Sequence, residues 1–146
     1  MENIPAPLKF MVERKVRFEE VDSIGYVWHG HYPSYFEDAR VALGEKYGLG
    51  YLDFKRENVI APLKKMELDY IQPMRYGQSY WVEAQLHFNE ATRLDFSYTI
   101  WDNDKQLVTK GSSVQLILDA EEKLLVFHPP FFREICDKWK RGDFDN

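Results

Sequence analysis

Val21-Asp22-Ser23-Ile24-Gly25-Tyr26-Val27-Trp28-His29-Gly30-His31-Tyr32, running on into Tyr35-Phe36-Glu37-Asp38-Ala39-Arg40, decides how this chain is read. A carboxylate, Asp22, stands in a tight loop punctuated by Gly25, and His29 follows seven residues later. An amphipathic helix begins at once. From Tyr32 the apolar positions are Tyr32, Tyr35, Phe36, Ala39, Leu43 and Tyr47, spacings of three and four that lay one stripe along a helix. Gly48 and Gly50 end it, giving a rod of roughly 24 Å at 1.5 Å per residue. A carboxylate facing the start of a helix suits acyl chemistry. The acid serves as base or nucleophile, and free helix N–H groups stabilise charge on a carbonyl oxygen.

Outward from this stretch, the chain alternates. Leu8, Phe10, Val12, Val16 and Phe18 are separated by charges, predicting a strand across residues 8–19. Met66, Leu68 and Tyr70 alternate with Lys65, Glu67 and Asp69. Val82, Ala84, Leu86 and Phe88, then Leu94, Phe96, Tyr98 and Ile100, do the same, and Val114, Leu116 and Leu118 continue the pattern. Turns fall at 73–77 and 102–104. Residues 130–141 predict a short helix with Phe131, Ile135 and Trp139 on one side. Long alternating strands with short turns make an antiparallel sheet with one buried face. The pattern by itself gives the α+β class, with a sheet long enough to curl around a helix of similar length.

Composition narrows the function. The chain has 146 residues, so one domain spanning 1–146 is expected. A net charge of −5, with basic residues scattered, argues against a nucleic-acid binder. Arg14-Lys15-Arg17, Lys64-Lys65 and the basic residues at 138–141 are read as solvated faces. No run of 18 apolar residues occurs, so no membrane span is expected, and Met1–Pro7 lacks a signal-peptide pattern. Cytoplasmic location follows as an expectation. Cys136 is the sole cysteine, which rules out an internal disulfide and a CxxC site. His29 and His31 are two apart and share no helix face, so neither metal nor cofactor is expected. No phosphate loop, Gly-x-Ser-x-Gly elbow or dinucleotide fingerprint occurs.

The opening stretch resembles the signature of hotdog-fold acyl-CoA thioesterases of the 4-hydroxybenzoyl-CoA thioesterase family: Asp-x-x-Gly, a His seven residues after the acid, then an aromatic pair, Glu and Ala-Arg. Met66-Glu-Leu-Asp-Tyr-Ile-Gln-Pro73-Met-Arg-Tyr-Gly77, followed by a long strand, resembles the family's second recurring stretch. The resemblance implies a long antiparallel sheet wrapped around one central helix. It implies hydrolysis of an acyl-CoA or acyl-carrier-protein thioester, in a site completed at a subunit boundary of a homodimer or homotetramer. Asp22 and His29 take the catalytic positions. Gly25, Trp28, Gly30, His31 and Tyr32 take the substrate-binding ones, and one of the backbone N–H groups from His29 through Tyr32 polarises the carbonyl. Two departures stand out. Relatives often carry Tyr four residues before the acid, where this chain has Phe18, and Asn two residues after the histidine, where it has His31.

Each residue also has a plainer reading. Asp22 before a glycine orders a loop through backbone N–H groups, His29 packs, Glu37 pairs with a neighbour, and Trp28 fills a core. A non-enzymatic acyl-CoA or acyl-carrier-protein binding module on the same fold is the rival function. A hotdog dehydratase, needing a histidine and a carboxylate across one pocket, is a third.

Overall fold

The computed structural model describes residues 4–144. Strand β1 (Leu8–Lys15) leads through the acid loop into helix α1 (Tyr32–Tyr47). A short helix α2 (Tyr51–Arg56) and strand β2 (Val59–Ile60) follow. Four long strands come next: β3 (Leu63–Tyr70), β4 (Ser79–His87), β5 (Arg93–Trp101) and β6 (Leu107–Leu116). Strand β7 (Leu118–Asp119) and helix α3 (Pro130–Arg141) complete the chain. The long strands form one antiparallel sheet in the order β1-β4-β5-β6-β3, and β2 pairs with β7 in a small second sheet.

The sheet lays α1 against β1 and β4 and buries the predicted stripe: Tyr32, Tyr35, Phe36, Ala39, Leu43 and Tyr47 are all in the core. Val82, Ala84, Leu86, Leu94, Phe96, Tyr98 and Ile100 meet them from the sheet. Gly48, at φ 78°, closes α1 in the left-handed region, and Gly50 begins α2. The Phe36 ring stacks on Tyr98 at 4.5 Å and packs against Gly111 on β6. A Cβ at Gly111 would stand 2.6 Å from Phe36 Cζ and 3.0 Å from the Glu67 carbonyl. Phe36 is fully buried and cannot yield. Gly111→Ala is therefore expected to lower unfolding free energy by ~1–3 kcal/mol through overpacking, measured by urea denaturation.

Three expectations are corrected. The first strand stops at Lys15; Phe18–Glu20 form a single 3₁₀ turn that carries Phe18 out to solvent, 75% exposed. On β6 the inward residues are Ser113 and Gln115, followed by Ile117, while Val114 and Leu116 are only half-buried. Hydrogen bonds permit this. Ser113 pairs with the Tyr98 hydroxyl at 2.8 Å, and Gln115 Nε2 donates to the Ala61 carbonyl at 2.7 Å. Arg14 lies in the inward register of β1 with its side chain 18% exposed, so it is no solvated face. Helix α3 spans the predicted residues, with Phe132, Cys136 and Trp139 buried and Phe131 and Ile135 packed beside them.

Candidate active site

Residues 20–28 form a tight hairpin. The Trp28 N–H donates to the Glu20 carbonyl at 2.8 Å, the Asp22 N–H to the Tyr26 carbonyl at 2.8 Å, and Val21 pairs with Val27 between them. Gly25 turns the tip at φ 82°. Nothing lies within 4 Å of where its Cβ would stand, so the need for glycine is conformational. The hairpin docks on the turn of the second recurring stretch. The Val27 N–H donates to the Met74 carbonyl at 2.8 Å, and the Tyr76 N–H to the Gly25 carbonyl at 2.9 Å. The two sequence stretches thus build one platform.

Asp22 sits exposed in this hairpin. Its Oδ1 accepts the N–H groups of Ile24 (3.0 Å) and Tyr26 (3.1 Å). Among the described residues no donor reaches Oδ2. Oδ1 thus orders the loop, the plainer role read for this aspartate, and leaves Oδ2 without a partner.

The returning arm runs from Trp28 into a 3₁₀ turn, His29–His31, and then α1. The His31 N–H donates to the Trp28 carbonyl at 2.9 Å, which removes it from the free donors expected there. The N–H groups of His29 and Gly30 carry no hydrogen bond among the described residues. Pro33 in the first turn supplies no competing N–H. The Trp28 indole is half exposed and folds over Gly30; a Cβ on residue 30 would clash with its ring carbons. It also touches the rings of His29 (4.9 Å) and His31 (5.5 Å). Trp28 is thus a surface aromatic at the helix start. Tyr32 is the opposite: its ring is buried against Tyr35 and Tyr70, and its hydroxyl accepts the Met74 N–H at 3.2 Å. Burial, the largest influence, raises its pKa above the ordinary tyrosine value.

Asp22 and His29 are not hydrogen-bonded. Glu37 forms a bidentate pair with Arg40 (2.9 and 2.6 Å), the structural role expected for it. His31 occupies the N-cap of α1 without a side-chain cap bond. Its backbone is already helical (φ −87°, ψ −14°) because the 3₁₀ turn feeds straight into the helix. His31→Asn is therefore expected to change stability by less than the ~1 kcal/mol of an ordinary cap and to leave turnover near wild type. His29→Ala should lower turnover with the melting temperature held. If His31→Asn abolishes turnover and His29→Ala does not, the two roles are reversed.

Sequence reasoning missed two supports of this site. Glu20, 4% exposed, accepts from the Arg17 N–H (2.8 Å) and the Tyr35 hydroxyl (3.0 Å) and pairs with Arg14. Burial pushes its pKa up, but the Arg17 N–H, Arg14 and Tyr35 outweigh that and hold it below the ordinary carboxylate value. Tyr70, at the end of β3, donates its hydroxyl to the His29 carbonyl at 3.0 Å. Parity was the available signal: Arg14 shares the register of Leu8, Phe10 and Val12, and an inward arginine demands a carboxylate.

Comparison with known proteins agrees with this architecture. The thioesterase-like superfamily matches residues 16–136. The Bacillus subtilis (strain 168) protein YneP, provisionally named an acyl-CoA thioesterase, is 28% identical over 127 residues, 87% of this chain and 89% of that protein. The acyl-CoA thioester hydrolase YbgC of Escherichia coli O157:H7 is 22% identical over 105 residues, 72% of this chain and 78% of its own. The crystal structure of a DHNA-CoA thioesterase from Staphylococcus aureus superposes with a TM-score of 0.81 at 23% identity, over 92% of this chain and 93% of that one. The family match and the shared sheet-around-helix geometry together show that this chain belongs to the thioesterase-like superfamily and has the hotdog fold.

Proposed function

We propose that this chain is a hydrolase of acyl thioesters, releasing a free acid and the thiol of coenzyme A or of an acyl carrier protein. The observation that carries the reading is the division of labour in Asp22. Its Oδ1 is held by two backbone N–H groups while Oδ2 stays open, in a loop that runs directly to the unpaired N–H groups of His29 and Gly30. Asp22 acts as base toward water or as nucleophile toward the carbonyl carbon. The N–H groups at the helix start polarise the thioester oxygen. Trp28 offers a wall for the acyl or aryl group, and His29 assists through the ligand rather than through contact with Asp22. The names of YneP and YbgC favour a coenzyme A thioester. The test is a panel of aliphatic and aryl coenzyme A and carrier-protein thioesters, with release of thiol as the readout. Binding without turnover across the panel would favour the non-enzymatic module.

A homodimer or homotetramer belongs to the same reading. Strand β3 lies at the sheet edge, with Leu63 and Tyr70 more than half exposed, and a second copy would satisfy its open backbone groups. Light scattering is expected to give a dimer or tetramer. A monomer that still hydrolyses thioesters refutes this part. No helix among the described residues is long and apolar enough to cross a membrane. We place the reaction in the cytoplasm, a location that a lone, buried cysteine suits.

A further inference from the structure

We infer that Glu20 is a positioning residue of the site, fixing the Asp22 hairpin to the start of α1 through Arg14 and Ser34. The inference rests on the hydrolase reading above. Glu20 stands two residues before Asp22, and its main chain and side chain hold different parts of the site. Its carbonyl accepts the Trp28 N–H at 2.8 Å and so closes the base of the hairpin. Its Oε1 accepts the Arg17 N–H and the Tyr35 hydroxyl, fastening the entering chain to the first turn of α1. Its Oε2 pairs with Arg14 on β1.

Arg14 carries the connection onward. Its guanidinium stacks on the Tyr35 ring at 3.7 Å and donates to Ser34 Oγ at 3.0 Å and to Asp38 Oδ2 at 3.2 Å. Ser34 Oγ in turn donates to the His31 carbonyl at 2.6 Å, at the end of the turn that bears the open N–H groups of His29 and Gly30. An unbroken path of polar contacts therefore runs from the base of the acid hairpin to the turn that opens α1. Glu20 is buried and Arg14 is largely shielded, and removal from water strengthens such contacts. Neither touches the open Oδ2 of Asp22. Their effect on turnover is through the relative placement of acid and N–H groups, to which rate is steeply sensitive.

The test uses Glu20→Gln and Ser34→Ala in the full chain. Glu20→Gln keeps size and an acceptor for Arg17 and Tyr35 but loses the charge that grips Arg14. Ser34→Ala cuts the path at an exposed position where folding is safe. Four quantities are read: melting temperature, kcat and KM on the coenzyme A thioester the wild type turns over fastest, and hydrogen exchange of the Ile24, Tyr26 and Trp28 amides. For Glu20→Gln, kcat is expected to fall ~10- to 100-fold, the scale of an ångström-sized misplacement. KM should stay within about twofold, since ground-state binding is untouched. The hairpin amides should lose protection while those of β4 and β5 keep theirs. Ser34→Ala should lower kcat less, at wild-type melting temperature. Unchanged kcat in folded Glu20→Gln and in Ser34→Ala overturns the inference, as does unchanged hairpin protection; if Glu20→Gln fails to fold, Ser34→Ala decides. A wild type inactive on every thioester would sink the hydrolase reading by itself, and the amide exchange would still decide whether Glu20 holds the hairpin.

Discussion

Asp22→Asn is expected to cut thioester turnover at least ~10²-fold, the scale of a general base or more, with the fold intact. The geometry separates the two effects. Oδ1 of Asp22 orders the hairpin by accepting the Ile24 and Tyr26 N–H groups, and the asparagine oxygen can accept both. In the proposed reaction Oδ2 is the atom that acts, and asparagine puts a non-basic NH₂ there. Because the residue is exposed, the added amide group stays in water and has no burial cost. Melting temperature, circular dichroism and hairpin amide exchange should therefore match wild type while kcat collapses. Retained turnover in a folded Asp22→Asn protein removes Asp22 from the reaction. Asp22→Ala is the contrasting variant: it should lose turnover and also loosen the hairpin, because both functions of the carboxylate go together.

The largest stability effect is expected at Phe36. Its ring is fully buried, stacks in parallel on Tyr98 at 4.5 Å and fills the space left by Gly111. Phe36→Ala removes the stack and leaves a cavity between α1 and the middle of the sheet. Rigid strands on either side limit collapse, so ~3–5 kcal/mol is expected. For a domain of this size that is a fall of roughly 6–20 °C in melting temperature, measured at fixed protein concentration. The denaturant slope should not change, since the same surface is exposed on unfolding. A loss below ~1 kcal/mol, the range of volume-conserving core swaps, would mean that the ring is not the keystone between helix and sheet. Restoring volume from the opposite side, with Gly111→Ala added to Phe36→Ala, should recover part of the loss. The same glycine substitution is destabilising alone, so the pair should be strongly non-additive.

The helix and most of the sheet were legible because their buried faces repeat locally. The stripe from Tyr32 to Tyr47 and the alternation in β4 and β5 each state which side faces the core without reference to anything distant. Strand β6 broke that rule. Its inward Ser113 and Gln115 are made acceptable by Tyr98 and by the Ala61 carbonyl, partners far away in sequence, and a reading by hydropathy follows Val114 and Leu116 instead. Helix α2 has six residues, too few for a period to show, and it exposes Tyr51 and Leu52. At the candidate site the acid, the turn glycine and the helix start were legible as one short stretch. The Arg14–Glu20 pair was not, since charge in a sequence looks like surface until its register is taken into account. The engagement of the His31 N–H with Trp28 was also hidden, because a 3₁₀ turn before a helix changes which donors stay open.

The hairpin that carries Asp22 is closed by contacts spanning no more than eight positions, from the Trp28 N–H back to the Glu20 carbonyl, whereas β1 and β4 join residues as distant as Leu8 and Leu86. Short loops close in a fraction of the time that distant strands need to meet. The local closure of the hairpin can therefore form early, while its seat beside the helix start depends on partners far along the chain: Arg14 on β1 and the Met74 and Tyr76 main chain. Strands elsewhere can drift, and the walls around a ligand can be rebuilt, so long as those partners are kept. A lineage built this way can change its substrates faster than its chemistry.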